Sequence, residues 1–169
     1  MRLFIAIRLS DEIRSGLAEI QSLLRNRGVS GKFTKLENLH LTLTFIGEYA
    51  DPENVLEAMR GVPFAPFSIR LKGFGSFGDL YWCGIGENET LSAYVKRLRR
   101  ALAESGIPFD RKKFSPHITL IRRASFDKSR GFPGVAVPDI SMKAGRVSLM
   151  RSDRAKGGMI YMEIGQVFG

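Results

Sequence analysis

The spacing of apolar and polar positions predicts an order of strand, helix, strand, helix, strand, strand, helix and then three strands. Residues 2–9 read as a strand. Ser10 follows as a helix N-cap, with Asp11 and Glu12 in the first turn, where carboxylates favour the helix dipole. Ile13, Leu17, Ile20 and Leu24 recur at helical spacing until Gly28 stops the helix. A polar loop holding Gly28, Ser30 and Gly31 leads to a strand over residues 39–46, ended by Gly47. Asp51-Pro52-Glu53 opens a second helix, with Pro52 suited to the first helical position, and Gly61 closes it. Residues 67–71 and 80–85 read as hairpin strands joined by a flexible connection, Gly73-Phe74-Gly75-Ser76-Phe77-Gly78. A helix over 89–104 carries Leu91, Val95, Leu98 and Leu102 on one face and stops at Gly106. A strand over 116–122, a Gly/Pro-rich loop over 131–138, and strands near 140–150 and 159–168 complete the chain. This order predicts a mixed α+β fold of mostly antiparallel sheets with outer helices.

A repeat inside this pattern sharpens the picture. His40-Leu41-Thr42-Leu43 returns as His117-Ile118-Thr119-Leu120, 77 positions later in a chain of 169 residues. Each copy follows a helix and lies on a strand, which predicts one catalytic domain over residues 1–169 built of two similar lobes. In a strand, residues i and i+2 face the same way. His40 and Thr42 therefore share a face, as do His117 and Thr119, while Leu41, Leu43, Ile118 and Leu120 anchor the strands in the core.

The chain has no other histidine. Two groups that titrate near neutrality, placed in one setting, suit an acid and a base on opposite sides of one bond. The threonine hydroxyls suit the non-bridging oxygens of a phosphate. A lone His-x-Thr on a strand is most often a surface pair of no chemical use; its duplication argues for chemistry. Arg122 lies five residues past His117 and would match a phosphate bidentately. Strict alternation points it away from His117 unless a bulge or the strand end redirects it.

Charge then suggests the partner. The net charge of +9 and pI near 10.1 point to an anion, with nucleic acid first and a membrane surface second. A basic surface that serves only solubility is the bland alternative. Lys96-Arg97-Leu98-Arg99-Arg100 reads as the solvated face of a helix, and Arg111-Lys112-Lys113, just before the second motif strand, is the better candidate for touching a polyanion. Phe4, Phe45 and Trp82 read as core residues rather than base-stacking platforms. The single cysteine, Cys83, excludes an intramolecular disulfide and reads as a buried small hydrophobe. No cysteine cluster or carboxylate cluster around a histidine suggests a metal site. The apolar run over residues 3–7 is interrupted too early for a signal peptide and no stretch is long enough to span a membrane, so a soluble cytoplasmic protein is expected.

At these residues the sequence resembles the 2H phosphoesterases, and within them the LigT-like RNA 2′,3′-cyclic phosphodiesterases. The resemblance is carried by Arg2-Leu3-Phe4-Ile5-Ala6-Ile7, by Glu37-Asn38-Leu39 leading into the first motif and Thr44-Phe45-Ile46-Gly47 leaving it, and by Gly73-Phe74-Gly75-Ser76-Phe77 and Trp82. Phe114-Ser115-Pro116 before the second motif, Ile121-Arg122 after it, and Val147-Ser148-Leu149-Met150-Arg151-Ser152 also match. It implies a bilobal fold with pseudo-twofold symmetry around a central cleft. It implies hydrolysis of an RNA-terminal 2′,3′-cyclic phosphate to a 2′-phosphate, without metal or other cofactor. His40 would protonate the departing 3′ oxygen, His117 would activate water, Thr42 and Thr119 would hold the phosphate, and Arg122 matches an arginine closing the second motif. Joining of 2′-5′ RNA ends is the reverse direction of related chemistry. RNA ends are the implied partner, with no obligate protein partner and a monomer as the default. The alternatives are a phosphoesterase of small cyclic nucleotides or 2′-5′ oligonucleotides, and a non-catalytic RNA-binding protein. The segment after Phe77 is short, passing through Gly78-Asp79 directly to Leu80, and in relatives this region borders the cleft.

Overall fold

The computed structural model describes residues 1–131 and 133–169. Strand β1 (Arg2–Arg8) buries all five of its central residues and lies inside a sheet. Helix α1 (Asp11–Asn26) begins where the Ser10 hydroxyl accepts the Ile13 amide, and it ends before Gly28, whose φ of +86° is open to glycine at little cost. Then come β2 (Ser30–Phe33), β3 (His40–Glu48) and α2 (Pro52–Arg60), the last capped by Asp51. A hairpin of β4 (Phe67–Phe77) and β5 (Leu80–Ile85) precedes α3 (Glu89–Glu104), capped by Asn88. Strands β6 (His117–Ser125), β7 (Ser141–Ala144), β8 (Arg146–Ala155) and β9 (Gly158–Phe168) finish the chain.

The strands form two antiparallel sheets, in the orders β3-β1-β8-β9 and β2-β6-β5-β4-β7. One motif strand lies in each, as the repeat predicts. The helices bind the halves together by exchange: α1 precedes β3 yet packs against β6, whereas α3 precedes β6 yet packs against β3 and α2. One continuous core runs through both sheets, from Leu3, Ile5 and Ile7 of β1 to Ile118, Leu120 and Ile121 of β6. A separate small cluster of Phe4, Ala6 and Met150, with Tyr161 against it, covers the other face of β1. Among the described residues, no helix is long and apolar enough to cross a membrane.

Several elements depart from the expected pattern. The glycine-rich stretch after Leu71 is no flexible connection, because β4 continues through Phe77 and pairs Phe74, Gly75, Ser76 and Phe77 with Cys83, Trp82, Tyr81 and Leu80. The turn is the two residues Gly78-Asp79. Gly75 is required by close approach: a Cβ there would lie 2.6 Å from Trp82 Cζ2. Residues 30–33 form an edge strand on β6 rather than a loop; backbone pairing supports the polar positions, and Phe33 packs against the core with the Arg25 guanidinium over its ring. The region near 140–150 is two strands in two different sheets, with Gly145 at the crossing. The expected loop over 131–138 contains Phe132, which lies outside the described residues; its other residues carry no helix or strand. Cys83 is fully buried as expected, and burial pushes its thiol up to about 12.

Candidate active site

Both motif strands carry a bulge at the same motif position. Along β1, Ile5 pairs with Thr44 and Ala6 with Thr42, so Leu43 is the extra residue; along β5, Tyr81 pairs with Ile121 and Trp82 with Thr119, so Leu120 is the extra residue. A bulge restarts the alternation. Two consecutive residues are therefore buried on each strand, Leu43 with Thr44 and Leu120 with Ile121. The residue five places past each histidine turns onto the histidine face. On β3 that residue is Phe45, 47% exposed, and on β6 it is Arg122. Phe45 is thus a surface residue at the site rather than core, for the reason that brings Arg122 in.

The second bulge is held from outside the sheet. The Leu120 carbonyl accepts from the Thr34 amide at 2.9 Å and from Gln21 Nε2 at 3.0 Å; the same nitrogen donates to the Thr34 carbonyl at 2.9 Å. Gln21 is a buried polar residue of α1 and carries no motif that sequence reasoning could have singled out. Replacing it by leucine removes both bonds and is expected to destabilise the protein by about 1–3 kcal/mol in urea denaturation. Activity should fall less than on loss of Arg122 itself, because Thr34 still holds the bulge.

His40, Thr42, Phe45, His117, Thr119 and Arg122 line one cavity of about 170 Å³, together with Asn38, Tyr161, Thr34 and Leu80. All five residues singled out from the sequence therefore meet. Sequence reading missed Asn38 and Tyr161 as lining residues. Asn38 is buried, its side chain donates to the Met159 carbonyl, and its own carbonyl orients His40. Tyr161 arrives from β9, distant in sequence from either motif. A larger cavity of about 820 Å³, bordered by Trp82, Asn88 and Lys96, holds neither histidine, so size does not mark the candidate site.

The imidazoles are oriented alike. His40 Nδ1 lies 2.7 Å from the Asn38 carbonyl and His117 Nδ1 lies 2.8 Å from the Ser115 carbonyl. A carbonyl only accepts, so each Nδ1 carries a proton and each Nε2 is left to exchange one. The surroundings differ. His40 Nε2 lies 2.7 Å from Thr42 Oγ1, and in the neutral ring the hydroxyl donates to it. Phe4 packs 5.0 Å from the His40 ring and Tyr161 stands edge-on at 5.2 Å. His117 meets Phe77 edge-on at 5.2 Å, and Phe77 is half exposed.

Burial holds His40 below the ordinary histidine value of 6.5; the bond to the Asn38 carbonyl opposes this, and the charges of Arg122 and His117 push the same way as burial. Between the folded value and 6.5 the unfolded chain binds a proton that the native state refuses. Stability contributed by this site therefore falls as pH drops through that window, by at most about 1.4 kcal/mol per pH unit. Urea denaturation at pH 7.5 and 5.5 should show a smaller acid-side loss in His40→Asn than in the wild type.

Among the described residues, no group of three or more His, Cys, Asp or Glu side chains is gathered as metal ligands would be. The arrangement offers two proton-exchanging nitrogens, two hydroxyls and one guanidinium around a small space, a donor set fitted to a tetrahedral oxyanion.

Known proteins share this framework. The model of the LigT-like phosphoesterases matches residues 7–81 and 85–161. The RNA 2′,3′-cyclic phosphodiesterase of Thermotoga maritima is 32% identical, over 95% of this chain and 91% of its own length, and that of Thermus thermophilus is 32% identical over 95% and 86%. The crystal structure of E. coli LigT complexed with 3′-AMP superposes with a TM-score of 0.81 at 27% identity, covering 99% of this chain and 96% of the other.

Proposed function

Because the chain belongs to the LigT-like phosphoesterase family, we propose that it is a cyclic phosphodiesterase that opens RNA-terminal 2′,3′-cyclic phosphates to 2′-phosphates. The observation that carries the reading is the convergence of both histidines, both threonines and Arg122 on one cavity.

In this reading the cyclic phosphate sits among Thr42, Thr119 and Arg122. His117 Nε2 takes a proton from water as its oxygen bonds to phosphorus. The bond from phosphorus to the 3′ oxygen breaks, and that oxygen takes the proton of His40 Nε2. The product is a 2′-phosphomonoester beside a free 3′-hydroxyl. Proton exchange with solvent resets the pair. No metal is assigned a part. The acid role requires a protonated His40, which burial in the free protein disfavours; the negative charge of the bound phosphate acts in the opposite direction and favours the imidazolium. A 5′-hydroxyl in place of water would give a 2′-5′ linkage by the same step.

The reading is tested by incubating a short RNA ending in a 2′,3′-cyclic phosphate with excess EDTA and identifying the new terminus. A 2′-phosphate is expected. A 3′-phosphate would contradict the assigned leaving oxygen, and an unchanged terminus would contradict the reaction.

A further inference from the structure

An RNA whose 3′ end occupies the candidate site must leave it on the 5′ side of the terminal nucleoside, and one nucleotide away it carries another anionic phosphodiester. A groove of about 370 Å³ adjoins the cavity and shares Thr42, Phe45 and His117 with it. Its remaining walls include Thr44, Arg99, Lys112 and Lys113, with Asp110 as the one acidic residue.

This wall is built rather than loose. The Asp110 amide donates to the Phe45 carbonyl at 2.8 Å, which ties the loop to the first motif strand. The Asp110 carboxylate accepts the Lys112 amide at 3.0 Å, and Arg99 Nη1 donates to the Lys112 carbonyl at 2.7 Å. Arg99 therefore does not belong to a solvated helix face: it is half-buried and spent on the loop. The loop presents two exposed lysines, and among the described residues neither forms an ion pair. Thr44 behind this wall is buried, and its hydroxyl has no hydrogen-bond partner among the described residues. Unpaired ammonium groups on a pinned loop beside the candidate site are placed to bind an anion. The 820 Å³ cavity, by contrast, mixes Lys72 and Lys96 with Glu87 and Glu89.

We propose that this groove is a second anion subsite, in which Lys112 and Lys113 hold the phosphodiester on the 5′ side of the terminal nucleoside. It rests on the RNA-terminus reading above and deepens it: the subsite selects an oligonucleotide over a cyclic mononucleotide, which has no phosphodiester to place there.

The test compares a five-nucleotide RNA ending in a 2′,3′-cyclic phosphate with a nucleoside 2′,3′-cyclic phosphate, in the wild type and in the double variant Lys112→Ala/Lys113→Ala. The double variant should lose about tenfold in kcat/KM on the RNA, through KM, and stay within about twofold on the mononucleotide. Its affinity for RNA should also depend less steeply on salt, by about 0.7 in log–log slope for each phosphate that the protein no longer neutralises. Equal losses on both substrates, or none on either, would overturn the subsite. Fluorescence anisotropy with the same RNA ending in a 2′-phosphate separates the two claims. If the wild type turns over neither substrate, the RNA-terminus reading falls, and the subsite stands or falls on whether the double variant binds this RNA more weakly.

Discussion

Alanine at His40 or at His117 lowers kcat by about 10²–10⁴-fold on RNA bearing a 2′,3′-cyclic phosphate, the usual scale for loss of a positioned acid or base. The expectation holds for both residues because they are arranged alike. Each ring is fixed through Nδ1 on the carbonyl two residues before it, which leaves one nitrogen to exchange protons. The two losses should differ in their side effects. His40 packs on buried Phe4 and half-buried Tyr161, so its replacement also leaves a void against these aromatic rings. His117 packs on the half-exposed Phe77, so its replacement should leave stability nearly unchanged. Single-turnover kinetics on protein shown to be folded by circular dichroism checks both. Turnover near the wild-type rate in either variant would contradict the assignment.

Arg122→Ala is expected to cost about 10²–10³-fold in kcat/KM, the scale of a lost donor aimed at developing negative charge. Arg122→Lys should recover only part of this, because an ammonium cannot reproduce the two parallel bonds of a guanidinium. A second readout follows from the position of Arg122. Its charge helps to hold His40 below the ordinary histidine value. Removing it should raise that value and shift the kcat/KM profile toward higher pH. Arg122→Ala with activity within about threefold of wild type and an unshifted profile would show that the guanidinium does not engage the phosphate.

The sequence makes the two motif strands, all three helices and the inward anchors legible, because each rests on a local period. Leu41 and Ile118 face the core by strand alternation, and Ser10 and Asp51 announce helix starts by a side chain that needs no distant partner. What stays illegible depends on residues far apart in the chain. Strict alternation turns Arg122 away from the histidines, and only the bulge at Leu120, held by Gln21 from another element, reverses it. The same reversal at Leu43 exposes Phe45, which reads as core from its neighbours alone. Strand β2 is invisible in the sequence because Ser30, Gly31 and Lys32 have no apolar period, and the edge of β6 supplies their pairing. The continuation of β4 through its glycines is hidden for a related reason: Gly75 marks the place where Trp82 lies across the strand, not a hinge. Tyr161 reaches the cavity only because β9 pairs with β8.

In the proposed reaction the two histidines facing one cavity act as a proton-donating and a proton-accepting pair on a phosphodiester. The pH dependence of kcat/KM for RNA 2′,3′-cyclic phosphate hydrolysis, measured in the wild type, His40→Asn and His117→Asn, tests it most directly. A bell is expected in the wild type, with loss of the alkaline fall in His40→Asn and loss of the acid-side fall in His117→Asn. A rate that is flat across the histidine range in the wild type, or a bell that survives unchanged in both variants, would contradict it.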